Sequence, residues 1–120
     1  EYACKLFRTA HITFSLSCAE KEIVLSSCFS HPSLVRTLFA STSPPLTIAP
    51  AYKCNLESLI HSPIIYSHYF IVKSVLSLLS ALGYLHGYGF MHLDIKPGNV
   101  LCDEIGNVYL CDFGDMRFVK

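Results

Sequence analysis

Tryptophan is absent from the chain, methionine occurs twice, and glycine only six times in 120 residues. Charge is also scarce: acidic and basic residues together make up 15%, and nine of each sign cancel. Without a basic stripe, nucleic acid is not expected as the main partner. The six cysteines form no CxxC pair and no zinc-type spacing. That pattern argues against a zinc module or a disulfide framework and for free thiols in a reducing, intracellular setting. The opening "EYACKLFRTA" has charges and no apolar core of signal-peptide length, so no secretory leader is expected. No Gly/Ser linker and no internal repeat interrupt the sequence. Hydrophobic residues, by contrast, reach 52%, which excludes a disordered segment and calls for a packed core. The length suits one domain of modest size.

Local patterns suggest an α+β chain. "YACKLF" (2–7) reads as a strand. Ser17 followed by Glu20 resembles a capping box, so a helix is expected over 17–29. His31-Pro32 marks a turn before a strand running toward Ser41, and a further short strand is expected over 46–48, between prolines. "NLESLIHS" (55–62) suits one or two helical turns. Between Ser67 and His86, Ile71, Val72, Val75, Leu78, Leu79, Leu82 and Leu85 recur at three- and four-residue steps, which predicts an amphipathic or buried helix. Residues 69–85 also reach the lower length limit for crossing a bilayer, although a buried core helix explains them equally well and no membrane role is expected. "VLC" (100–102) and "VYLC" (108–111) predict a hairpin with a Gly106-Asn107 turn.

The chemistry concentrates near the end. "HLDIKPGNVL" packs Asp94, Lys96 and Asn99 into six positions of an otherwise apolar stretch, and "CDFGD" adds Asp112 beyond the hairpin. Two carboxylates and an amide oxygen are hard ligands of the kind Mg²⁺ prefers, alongside phosphate oxygens. A lysine two residues from a carboxylate can neutralise a developing phosphoryl charge. Any one of these residues is an ordinary turn former. The whole string, H-x-D-x-K-P-x-N followed by a hairpin and D-F-G, is far more specific.

That string resembles the catalytic core of eukaryotic protein kinases of the serine/threonine type. The resemblance implies a partial two-lobed kinase fold, with residues 1–50 as an incomplete small lobe and 51–120 as the start of the large one. It implies ATP and Mg²⁺ as cofactors and a protein substrate. Asp94 would accept the substrate hydroxyl proton and Lys96 would stabilise the transferring phosphoryl group. Asn99 and Asp112 would hold Mg²⁺. Lys5, in "ACK", would grip the α and β phosphates, steadied by Glu22, and Ala3 and Leu101 would complete the nucleotide site. His92 is expected to pack and hydrogen-bond within its loop, and Phe113 to be a core residue linking the lobes. A glycine-rich loop should precede Lys5 and an activation segment should follow Lys120. The chain is therefore expected to be part of a longer protein, neither stable nor active alone.

Leu93 stands where most kinases place arginine. "HLD" with "VRTLFASTSPP" and "NLESLI" is similar to Mos-type kinases, which implies a cytoplasmic enzyme acting on a MAP kinase kinase in oocyte meiosis. Lacking that arginine, the loop offers no partner to a phosphorylated activation segment. Two positions depart from the family pattern. The hinge, whose backbone bonds the adenine, falls on Pro50 and Ala51. Ser26 and Thr37 replace apolar residues beside the "DFG" phenylalanine. Two alternatives stay open. "PGNVL" with "DFGD", including Asp115, is also similar to aminoglycoside phosphotransferases, which usually carry histidine where Lys96 stands. The odd hinge would suit a pseudokinase scaffold.

Overall fold

The computed structural model describes residues 1–8 and 14–119, with side chains in the first helix from Cys18 onward. Strand β1 (Tyr2–Leu6) is followed by helix α1 (Phe14–Cys28), then by β2 (Phe39–Thr42) and β3 (Pro45–Pro50). These strands form an antiparallel sheet in the order β1-β3-β2. Its register sets Ala3 opposite Ala49 and Lys5 opposite Thr47. Helix α1 turns Ala19, Ile23 and Ser26 inward, at the four- and three-residue steps of one helical face. It begins at Phe14 and so contains Ser17, which is not its N-cap. Nothing between Thr13 and Leu16 breaks a helix, so the capping pattern does not decide where it starts. The Ser17 side chain lies outside the described residues.

A second layer carries β4 (Cys54–Asn55), the short helix α2 (Leu56–Ile60), the long helix α3 (His68–Gly87), β5 (Phe90–Met91), a single 3₁₀ turn (Pro97–Asn99), and β6 (Val100–Cys102), β7 (Val108–Leu110) and β8 (Arg117–Phe118). Both α helices here are capped by side chains. Asn55 Oδ1 accepts from the Ser58 amide at 2.9 Å, and Ser67 Oγ from the Phe70 amide at 3.2 Å. Strands β4, β6 and β7 form one sheet, and β5 pairs with β8, a pairing too short to leave a period-two signal in the sequence. The β6–β7 hairpin closes through Gly106 at φ +87°, a left-handed conformation that glycine adopts without strain. Asp103 fixes the same turn by accepting from the Ile105 and Asn107 amides and from Tyr109 Oη.

The core gathers Leu34, Ala81, Leu85, Val100, Cys102, Val108, Leu110, Phe113 and Met116. Leu110 stitches it to the first layer: its amide donates to the Ser33 carbonyl at 2.8 Å and its carbonyl accepts from Val35 at 3.0 Å.

Helix α3 differs from the expected inward face. Ser74, Ala81 and Leu85 are buried, with Leu78 and Leu82 packed against the core, whereas Ile71, Val72, Val75 and Leu79 are each at least half exposed. The helix is apolar nearly all round, and the described residues cover one side of it. By length and composition it could also cross a membrane. Its lysine, Lys73, reaches Asn107 in the β6–β7 turn at 2.8 Å.

Candidate functional site

Three segments far apart in sequence meet in the cleft between the two layers. From β1, Lys5 Nζ donates to Glu22 Oε1 on α1 and lies 3.9 Å from Asp112 Oδ1, just past β7. Glu22 is mostly shielded, with 14% of its side chain exposed, while Lys5 is half exposed. The three groups border a cavity of about 290 Å³. Ala3, Thr47 and Ala49 form one wall, Asn99 and Leu101 another, and Phe113 lies with Ser26 and Thr37. Lys5, Glu22, Ala3, Asn99, Leu101 and Asp112 thus come together as the sequence suggests. A larger hollow of about 620 Å³ lies behind residues 50–52 and contains none of them.

Asp94 and Lys96 stand beside the cavity, joined to it through Asn99. The Asn99 amide group donates from Nδ2 to both the Asp94 carbonyl and Asp94 Oδ2, each at 2.8 Å. Lys96 Nζ reaches Asp94 Oδ2 at 3.0 Å. The hydrogen bond from Lys96, followed by that from Asn99, holds the Asp94 carboxyl below the usual carboxylate range. The same bond raises Lys96, whose ammonium also feels the Asp112 and Asp115 carboxylates. Because Nδ2 faces Asp94, Asn99 Oδ1 remains free to act as a ligand. The Cys111 amide donates to the Asn99 carbonyl at 2.9 Å, which sets Asp112 next to it. An amide oxygen and a carboxylate, both hard donors at the edge of one cavity, fit a hydrated Mg²⁺.

His92 is 1% exposed and organises the loop. Its Nδ1 accepts from the Asp94 amide at 3.3 Å, so Nε2 carries the proton and donates to the Cys111 carbonyl at 2.9 Å. Its ring meets Phe113 edge-on, 5.9 Å between centroids. Phe113 is 3% exposed, as expected of a core residue.

The backbone around these groups is strained in a way residue types alone could not reveal. Leu93 has φ +66° and Asp112 φ +63°, a region that costs a side-chain-bearing residue about 1–2 kcal/mol. Such strain clusters where geometry is imposed for function, and these two residues flank or belong to the two acids. Gly114 follows because of space: a Cβ there would lie 3.3 Å from Glu22 Oε2 and 3.4 Å from Asp112 Oδ1. Thr47 and Ala49 were not anticipated as lining residues. The signal was their period-two alternation opposite Lys5 and Ala3.

Comparison with known proteins agrees with this geometry. The protein kinase domain matches residues 1–120. The chain belongs to the protein kinase family. A probable serine/threonine-protein kinase of Dictyostelium discoideum is 31% identical over 126 residues, which covers 99% of this chain and 8% of that protein. A second from the same organism is 32% identical over 123 residues, covering 99% and 9%. Sperm motility kinase Z of Mus musculus is 62% identical over 37 residues, 31% of this chain and 7% of that protein. The kinase chain spans less than a tenth of the length of the two Dictyostelium relatives, which it matches over nearly its whole length.

Proposed function

We propose that this chain holds the catalytic centre of a serine/threonine protein kinase that transfers the γ-phosphoryl group of Mg·ATP to a protein hydroxyl. One observation carries the reading: Lys5, bonded to Glu22, faces Asp112 across the same cavity that Asn99 borders and to which Asn99 ties Asp94. Lys5 Nζ is the cation available to the α and β phosphates, and Glu22 fixes its position. Asn99 Oδ1 and the Asp112 carboxylate would hold Mg²⁺, which neutralises phosphate charge when bound. Asp94 Oδ2 accepts the proton of the attacking hydroxyl, and its depressed pKa keeps it ionised at neutral pH. Lys96, 3.0 Å from that oxygen, is placed to meet charge developing on the transferring group.

The finer proposal is a Mos-type enzyme acting on a MAP kinase kinase in a cytoplasmic setting. Its support is the resemblance over residues 31–101 and Leu93, an apolar residue directly before Asp94 where a cation would meet a phosphorylated segment. Lys96 favours a protein over an aminoglycoside as acceptor. The whole protein, incubated with labelled Mg·ATP and either a kinase-inactive MAP kinase kinase or an aminoglycoside, should label serine or threonine of the protein. Label on the aminoglycoside alone would overturn the assignment.

A further inference from the structure

Two of the six cysteines face each other across strands. β4 and β6 pair antiparallel, and their register sets Cys54 directly opposite Cys102. Side chains of directly opposed residues leave a sheet on the same side, with Cβ atoms about 4.5–5.5 Å apart. The packing agrees: Cys102 belongs to the buried core, and Cys54, partly buried, packs against that core. Burial first, and then Cys54 through charge and a hydrogen bond, raises the Cys102 thiol to about 11. The two sulfurs are therefore within hydrogen-bonding reach of each other. Opposed Cα atoms in antiparallel strands lie about 4.5–5.5 Å apart, inside the range of about 4.4–6.8 Å that a disulfide spans. A disulfide also asks for Cβ atoms about 3.5–4.5 Å apart, a little closer than an unlinked pair. The strand that must give is suited to it. β4 is two residues long, lies at the edge of its sheet, and follows the irregular residues 51–53. Among the described residues no other strand pairing opposes two cysteines: Cys4 faces Ile48, and on its other side Cys102 faces Val108.

We infer that Cys54 and Cys102 are a reversible oxidation site, which a hydroperoxide converts to an intrachain disulfide between β4 and β6. Both thiols are free in this structure, the reduced form. Cys54, the more accessible of the two, reacts first. Its sulfur attacks the peroxide, the O–O bond breaks, and Cys54 becomes a sulfenic acid with release of water. The Cys102 sulfur then attacks the Cys54 sulfur. The S–S bond forms, the S–O bond breaks, and the hydroxyl leaves as water with the Cys102 proton. Two thiols lose two electrons and two protons, and hydrogen peroxide takes them up as two waters. Cys102 is a poor first nucleophile, since little of a thiol raised to about 11 is thiolate near neutral pH. The second step is intramolecular, which offsets that handicap. A dithiol returns both thiols by exchange, so in a reducing setting the bond is transient. When formed, it fastens the segment leaving the first layer to the strand whose Leu101 lines the candidate nucleotide cavity.

The test treats the whole protein, reduced and freed of reductant, with one equivalent of hydrogen peroxide at pH 8. Quenching with iodoacetamide and peptide mass analysis without reductant should show the peptides of Cys54 and Cys102 joined. The joined species should be two hydrogen masses lighter than the free pair, and dithiothreitol should separate it. Because the fold brings the sulfurs together, the link should form at least about tenfold faster than in urea-unfolded protein. Cys54→Ser, at a partly exposed position, should abolish the link. Cys102→Ala should stop the reaction at the Cys54 sulfenic acid, which dimedone traps. Recovery of Cys54 and Cys102 unlinked in the natural protein would overturn the inference. So would Cys54 joined mainly to another cysteine, or a link that forms equally fast in urea. A folded Cys102→Ala variant without a dimedone adduct would overturn the assigned order of the two steps.

Discussion

The ammonium of Lys5 sits between two carboxylates, bonded to Glu22 from α1 and 3.9 Å from Asp112 beyond β7. A lysine held this way by one acid and facing another is positioned for a third anionic group. Replacing it separates function from stability. Lys5→Met should lower phosphoryl transfer by about 10²–10³, the usual loss for one preorganised charge at a reacting phosphate. Because half of the Lys5 side chain is in water, unfolding free energy should change by no more than about 1 kcal/mol. Radiolabel transfer and urea unfolding of the same variant check the two halves. A loss of several kcal/mol would mean that the lysine serves the fold rather than the nucleotide.

How much of this was legible beforehand depended on whether the signal was local. The 3.6-residue period identified α3: Ser67, its expected start, is the N-cap, and the first helical residue is His68. The Gly106-Asn107 turn and its β-rich flanks gave the β6–β7 hairpin. Asp94, Lys96 and Asn99 converge because they lie on one short loop. The failures share the opposite property. Ser17 looked like a cap, but helix starts depend on what the preceding turn can adopt, and α1 begins at Phe14. The apolar residues of α3 do not say which of them the core will cover, and Ile71, Val72, Val75 and Leu79 are left outside. The left-handed backbone at Leu93 has no residue-level signal, since leucine is among the residues least suited to it. Thr47 and Ala49 entered the cavity only through the register with β1.

Asp94 accepts hydrogen bonds from Lys96 and Asn99 and takes no part in lining the cavity that would hold the nucleotide. Asp94→Asn should therefore reduce transfer by about 10²–10⁴, the span of a lost general base. Mg·ATP affinity should stay within about threefold, because the interaction is made only as the hydroxyl reacts. Single-turnover transfer and calorimetry on one preparation decide it. An equal fall in affinity would place Asp94 in nucleotide binding instead.

The Asp94–Lys96 pair also has a pH signature. The Asp94 carboxyl is held below its ordinary value by Lys96 and then Asn99, so the folded state favours its ionised form. That contribution is complete above the unfolded carboxylate pKa of about 3.9 and fades as pH falls through the lower folded value. Lys96 is raised by the same bond, so its contribution is complete below the unfolded lysine value of about 10.4 and fades as pH rises through the folded one. Both groups are solvent-reached, which keeps the effect small. The difference in urea midpoint between the natural chain and Lys96→Ala should be flat from about pH 5 to 9 and narrow at both extremes. A difference that peaks inside that interval would assign the titration to another pair.

The thiols divide by environment. Cys4, Cys18 and Cys28 are exposed, whereas Cys102 is buried and Cys111 partly so. Burial first, then the neighbouring Cys54, pushes the Cys102 thiol up to about 11. Burial, then the Asp112 carboxylate, does the same for Cys111. At pH 8 a thiol with that value is about one part in a thousand thiolate, the form that reacts with alkylating agents. Iodoacetamide at pH 8, followed by peptide mass analysis, should modify the exposed set well before Cys102 or Cys111, and raising the pH to 10 should narrow the gap. Cys111 lines the candidate nucleotide cavity and Cys102 does not. Saturating Mg·ATP should therefore slow labelling of Cys111 further at pH 10 and leave Cys102 unchanged. Equal protection of both would point to a general tightening of the fold, and protection of neither would place the nucleotide somewhere other than beside Asp112.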